Sequence, residues 1–171
     1  GRVRIEGQLC EDPYADYAPE GLIFSVDEQI WNYRKLAYLL LNKPANYECS
    51  HKPRHHPSIY TLLPPPLLTR GVQAVGRLDE DTTGLLLFSD DGQFIHTYTS
   101  PKKKVTKVYD VTLKHPGDQL LVAALLAGVQ LNDEPAPIAA SACEILAERL
   151  LRLTTTEGKY HLVKRMIAAA G

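Results

Sequence analysis

The run GRLDEDTTGLLLFSDDG, Gly76 to Gly92, decides how the rest of the chain is read. An acidic, hydroxyl-rich loop framed by Gly76 and Gly84 precedes four apolar residues and an Asp-Asp-Gly turn. The block GLLLFS predicts an apolar strand ending at that turn, and residues 93–100 a short helix after it. Working toward the N-terminus, residues 45–70 contain HKPRHHP and LLPPPLL and predict ordered loop and turns rather than helix. KLAYLLLNKP predicts a buried strand stopped by Pro44. Composition changes near residues 27–34, which predicts a linker; LIFSV (22–26) predicts a strand, and GRVRIEGQLCEDP two short strands about a turn at Glu6-Gly7.

Toward the C-terminus, residues 104–113 alternate. Val105, Tyr109, Val111 and Leu113 share one face, with Lys107 the exception. Residues 118–127 predict a helix with Leu121, Leu125 and Leu126 on one side and Gly128 as its stop. Strands are expected over 141–146 and 149–155. A turn at Glu157-Gly158 then leads into a helix from Lys159. Its buried stripe is Val163, Met166, Ile167 and Ala170; His161, Lys164 and Ala168 lie on another face.

At 171 residues with 44% hydrophobic content, the chain suits one core-forming domain or a domain plus a fragment. No apolar run reaches the ~20 residues of a membrane span. Cys10, Cys49 and Cys143 are far apart, which argues for a reduced, cytoplasmic protein without a disulfide framework. The net charge is −1, but residues 1–33 set two arginines against seven acids, so the remainder is net positive. Local basic clusters matter more for phosphate binding than the total. Lys102, Lys103 and Lys104, with Lys107, form the strongest basic run. Cys49, His51, His55 and His56 match no standard zinc spacing, and no metal is expected.

Within the opening run, Asp79-Glu80-Asp81-Thr82-Thr83 fits the D-x-D-x-T pattern of Mg²⁺-dependent phosphatases with an aspartate nucleophile. That chemistry needs an apolar strand ending at the first aspartate. Here GVQAVGRL is interrupted by Gly76 and Arg77, and the strong strand follows the motif instead. A short match without its structural context carries little weight.

The longer frame GRLDEDTTGLLLFSDDG resembles the catalytic motif of pseudouridine synthases, in the branch that acts on ribosomal RNA. KVYDVTL (107–113) resembles the strand bearing that family's active-site tyrosine. EGKYHLVKRM (157–166) resembles the motif that supplies a basic partner to the aspartate. The segments stand in the family's order and cover about 34–171; Leu162 departs from the usual glutamine. GVQLNDE (128–134) and KYHLVKRM are most similar to the small-subunit (16S) rRNA branch, with a large-subunit (23S) enzyme as the alternative within the family. GRVRIEGQ resembles the closing strands of an S4-like RNA-binding module. The resemblance thus implies a remnant of that module plus linker over 1–33 and a C-terminally incomplete catalytic domain over 34–171.

The implied fold is α+β: a mixed, mainly antiparallel sheet with packed helices and a central catalytic cleft. The implied activity is isomerisation of a uridine in ribosomal RNA, free or in an assembling particle. A bond from N1 to the ribose breaks and a C5–C1′ bond forms without redox change, so no cofactor is expected. By resemblance Asp79 is the catalytic aspartate, as nucleophile on the sugar or as base. Lys164 is its basic partner, with Arg165 a neighbouring cation, and Tyr109 stacks on the uracil. Arg77 enters the RNA stack as the uridine leaves, and Lys102, Lys103 and Lys104 contact phosphate. A non-catalytic RNA-binding protein on the same fold is the alternative outside enzymes, since fold alone does not fix function.

Overall fold

The computed structural model describes residues 2–171, which divide into two compact units, the first ending at Ile95 and the second His96–Gly171. Every strand pair among the described residues is antiparallel, and helices pack on the sheets, so the class is α+β. No helix among these residues is long and apolar enough to cross a membrane.

The first unit opens with β1 (Val3–Ile5), β2 (Gln8–Leu9), β3 (Ile23–Val26) and β4 (Gln29–Asn32), a sheet in the order β2-β1-β3-β4. The β1–β2 turn has positive φ at both Glu6 (49°) and Gly7 (84°), which matches the twist of a tight hairpin. The expected linker at 27–34 is largely a strand instead. Asp27 and Glu28 make a second two-residue turn, φ 47° and 69°, and return the chain as β4 beside β3. Neither residue is the Asn or Gly that usually marks this turn. The Arg2 guanidinium pairs with the Asp27 carboxylate there, and the Asp27 N–H donates to the Arg2 carbonyl at 2.9 Å. That side-chain hydrogen bond raises the Arg2 pKa and lowers that of Asp27.

A second sheet, β5-β7-β6, follows from β5 (Tyr38–Lys43), β6 (Gln73–Val75) and β7 (Gly84–Ser89). The central strand is β7, the apolar block of the opening run, and it holds Leu86 and Phe88 in the core with Ile59, Tyr60, Leu63 and Val72. The expectation of a buried β5 needs correction. As an edge strand it alternates: Leu39, Leu41 and Lys43 face the core while Tyr38 and Leu40 are exposed. Between β5 and β6 the proline-rich stretch is not all loop. It forms a 3₁₀ turn (Ile59–Leu62) and a short α1 (Pro65–Thr69), because proline is well suited to the first helical position, where its missing N–H costs nothing. Arg70, just past α1, donates to Asp90 (2.8 and 2.6 Å) and to the carbonyls of Arg34 (2.6 Å) and Lys35 (2.9 Å), and Asp90 accepts the Ala37 N–H at 2.7 Å. This fixes where β5 begins. The next helix, α2 (Gly92–Thr99), is capped by Asp91, which accepts from the N–H groups of Gln93 and Phe94.

The second unit is a sheet β8-β10-β9 with two helices: β8 (Lys107–Thr112), α3 (Gln119–Ala127), β9 (Ala142–Ala147), β10 (Leu150–Thr155) and α4 (Leu162–Ala170). Asp118 caps α3 through the Leu121 N–H at 2.8 Å, and Gly128 ends it at φ 101°. The core joins Leu125 of α3, Leu151 and Leu153 of β10, and Leu162 and Met166 of α4. Leu126 is exposed rather than part of that stripe. The last helix begins at Leu162, not Lys159, because His161 takes a left-handed conformation (φ 49°) at its cap.

Candidate active site

Asp79 lies in the eight-residue connection between β6 and β7. Glycines flank the connection in positive-φ conformations, Gly76 at 89° and Gly84 at 115°, which side chains rarely adopt. The Thr82 N–H donates to the Asp79 carbonyl at 3.1 Å, closing a turn over Glu80 and Asp81. Asp79 itself is half-buried.

What holds this turn is a residue the sequence reading passed over. Lys43, the last residue of β5, is fully buried. Its ammonium donates to the carbonyls of Pro44 (3.0 Å), Glu80 (3.0 Å) and Thr82 (2.9 Å). Next door, the Asn46 N–H donates to the Glu80 carbonyl at 2.7 Å. Burial pushes the Lys43 pKa down, against the pull of Cys49, Asp81, Glu80 and Asp79. A buried charge is tolerated only when it is paired and hydrogen-bonded, and three backbone carbonyls supply those bonds. The signal was available: period 2 in YLLLNK sets Lys43 on the same face as Leu39 and Leu41.

Arg77 is exposed, and among the described residues no side-chain hydrogen bond or ion pair engages it. Lys102, Lys103 and Lys104 are exposed on a 3₁₀ turn (Pro101–Lys103), with Lys104 left-handed at φ 47°. Lys107 is turned inward, and its ammonium donates to the Val105 carbonyl at 2.8 Å.

In the second unit, Tyr109 is half-buried at the middle of β8, opposite Leu153 of β10. It shares a face with Val111, which packs against the core containing Met166. On the other face Asp110 takes a two-point contact from Arg152, at 2.8 and 2.9 Å, which lowers its pKa. Lys164 is on the exposed side of α4, between buried Leu162 and Met166. Arg165 is anchored. It donates to the Tyr160 carbonyl at 3.0 Å and pairs with Asp133, with Glu134 at 4.0 Å. Lys159 pairs with Glu134 at 2.5 Å, a bond that raises the Lys159 pKa. Two of the segments singled out in the sequence, GVQLNDE and EGKYHLVKRM, are therefore joined by ion pairs. The Tyr160 ring stacks on His161 at 3.7 Å, just ahead of α4.

The candidate residues thus divide between the units: Arg77 and Asp79 belong to the first, Lys102 to Lys104, Tyr109, Lys164 and Arg165 to the second. Comparison with known proteins gives the chain a family. The sequence model described as RNA pseudouridylate synthase matches residues 37–169. Ribosomal small subunit pseudouridine synthase A of Haemophilus influenzae is 39% identical over 169 residues, covering 99% of this chain and 72% of that protein. The protein of the same name from Escherichia coli K12 is 36% identical over 170 residues, covering 99% and 73%. A solved structure described as pseudouridylate synthase superposes with a TM-score of 0.74 at 37% identity, covering 98% of this chain and 72% of that one. With a family match across most of its length and relatives this similar, the chain belongs to the RNA pseudouridylate synthase family.

Proposed function

We propose that the chain converts a uridine of small-subunit (16S) ribosomal RNA to pseudouridine, with Asp79 as the catalytic carboxylate. The observation that carries this reading is the clamp of Lys43 on the Glu80 and Thr82 carbonyls, which fixes the loop bearing Asp79. The names of the relatives in Haemophilus influenzae and Escherichia coli support the small-subunit assignment.

The reaction cleaves the N1–C1′ bond, turns the uracil and joins C5 to C1′, and the proton leaving C5 is returned to solvent as N1 gains one. Atoms balance without an added group, so the chemistry calls on side chains alone. Asp79 acts while ionised, either on C1′ or as a base. A nearby ammonium keeps a carboxylate ionised in a dry site, and Lys164 is assigned that part. Tyr109 is assigned to stack on the uracil face. Arg77 is assigned to fill the gap left by the extruded base, which costs a few kcal/mol to unstack. Lys102, Lys103 and Lys104 contact phosphates. Arg165, through Asp133 and Glu134, sets the first turn of α4 and adds a cation beside Lys164. The sheet Val3–Asn32 is read as the remnant of an S4-like RNA-binding module preceding the catalytic part; its two tight hairpins support that reading.

The test is to map pseudouridines in ribosomal RNA from cells with and without the gene, then to offer the chain naked transcript and assembling small subunits. Loss of one small-subunit site on deletion is the expected result. Loss of a large-subunit site would move the target, and an unchanged map would reject the activity.

A further inference from the structure

The loop from β5 to the 3₁₀ turn gathers His51, Lys52, Arg54, His55 and His56 within six residues. Among the described residues, no group of three His, Cys, Asp or Glu side chains is placed to hold a metal ion. The loop is nevertheless built. At its base the Glu48 N–H donates to the Pro57 carbonyl and the Ile59 N–H to the Glu48 carbonyl, both at 2.9 Å, and the Ser58 hydroxyl donates to the Ser50 carbonyl at 2.6 Å. At its centre the Glu48 carboxylate accepts the N–H groups of Arg54 (3.0 Å), His55 (2.7 Å) and His56 (2.9 Å). On one side His51 stacks on Tyr60 at 3.7 Å and bonds to the Gln73 side chain at 2.9 Å.

Residues 49–58 contain no acidic side chain, and the one carboxylate inside the loop is spent on backbone N–H groups. Lys52, Arg54 and His55 are left exposed. The loop also rises from the same anchor as the Asp79 turn, since Lys43 and Asn46 immediately before it bind the Glu80 carbonyl. From this arrangement we infer that Lys52, Arg54 and His55 form a docking site for RNA backbone phosphates beside the Asp79 loop, and that Glu48 is the positioning residue that keeps it in shape. Phosphate contacts fix register and orientation without reading bases. A fixed cationic loop at the root of the reacting loop suits the strand that flanks the target nucleotide.

The inference rests on RNA being the substrate, and its test separates the two. Binding of the full chain to a small-subunit rRNA transcript is measured over a salt series, alongside KM for pseudouridine formation. K52Q/R54Q/H55Q should weaken binding about 10–100-fold at 0.1 M salt, raise KM, and make the slope of log K against log salt shallower by about 2. Glu48→Ala keeps every cation and should shift affinity and slope the same way. K114Q/R149Q, which removes two exposed cations of the second unit, should leave the slope as it was. Unchanged affinity and slope in the triple variant, or an equal loss in the K114Q/R149Q control, overturns the docking site. Steep salt dependence lost in the triple variant, from a chain that makes no pseudouridine, would support the docking site and overturn the proposed function.

Discussion

Asp79 and Glu48 sit in the same unit and carry opposite consequences. Asp79→Asn removes the ionisable oxygen and keeps the shape. We expect kcat to fall by ~10²–10⁴ or more, the range that a lost general acid–base group produces. The thermal midpoint should stay close to the original, and tritium release from 5-³H-uridine transcripts checks the rate. Glu48 is held at a pKa of about 2 by the N–H groups of His55, His56 and Arg54. Its folded pKa lies below the value of ~4.3 for a free glutamate, so its contribution to stability is complete above pH ~4.3 and disappears as pH falls through 2. The amide resonances of residues 54–56 should titrate with a midpoint near 2, and Glu48→Gln should abolish that titration. Lys43→Met removes the ammonium from the Pro44 and Thr82 carbonyls and leaves the Glu80 carbonyl with the Asn46 N–H alone. An unsatisfied buried polar group costs about 1–3 kcal/mol. Urea denaturation should show that loss, together with slower turnover from a slackened Asp79 loop.

At the scale of elements, the decisive joints are turns and caps. Both central residues of the β3–β4 turn are non-glycine at positive φ. Glu28→Gly should therefore raise stability by about 0.5–1 kcal/mol, the conformational relief offsetting glycine's entropy. A rise in melting temperature checks it, and a fall would mean the Glu28 side chain contributes more than its strain. The first turn of α4 is held by Arg165 and Lys159 on Asp133 and Glu134. These groups are partly exposed, so a double-mutant cycle of Asp133→Asn with Arg165→Gln should give a coupling of about 0.5–1 kcal/mol, smaller at high salt. The sequence showed β8, α3, β9 and β10 within a residue or three of their ends, because alternation and an Asp cap with a Gly stop are local signals. It missed β4, since the Asp27-Glu28 turn lacks the usual glycine, and it set the start of α4 too early, since nothing in the sequence marks a left-handed histidine.

For the whole molecule, stability resides in two cores, each belonging to one unit. Leu153→Ala empties space at a fully buried position on the central strand β10, in the core with Leu125 of α3 and Met166 of α4, and should cost about 2–5 kcal/mol. The family resemblance carried by three ordered motifs was sufficient to name the fold class and to nominate Asp79, Tyr109 and Lys164, because each motif is a run of neighbours along the chain. Tertiary structure alone decided that Lys43 clamps the Asp79 loop, that Arg70 with Asp90 sets the start of β5, that Asp133 and Glu134 hold α4, and that Glu48 gathers a basic loop around itself. Those contacts join residues 6 to 39 positions apart. Their strength depends on burial and on backbone groups meeting in space, and neither is written in the spacing of residue types.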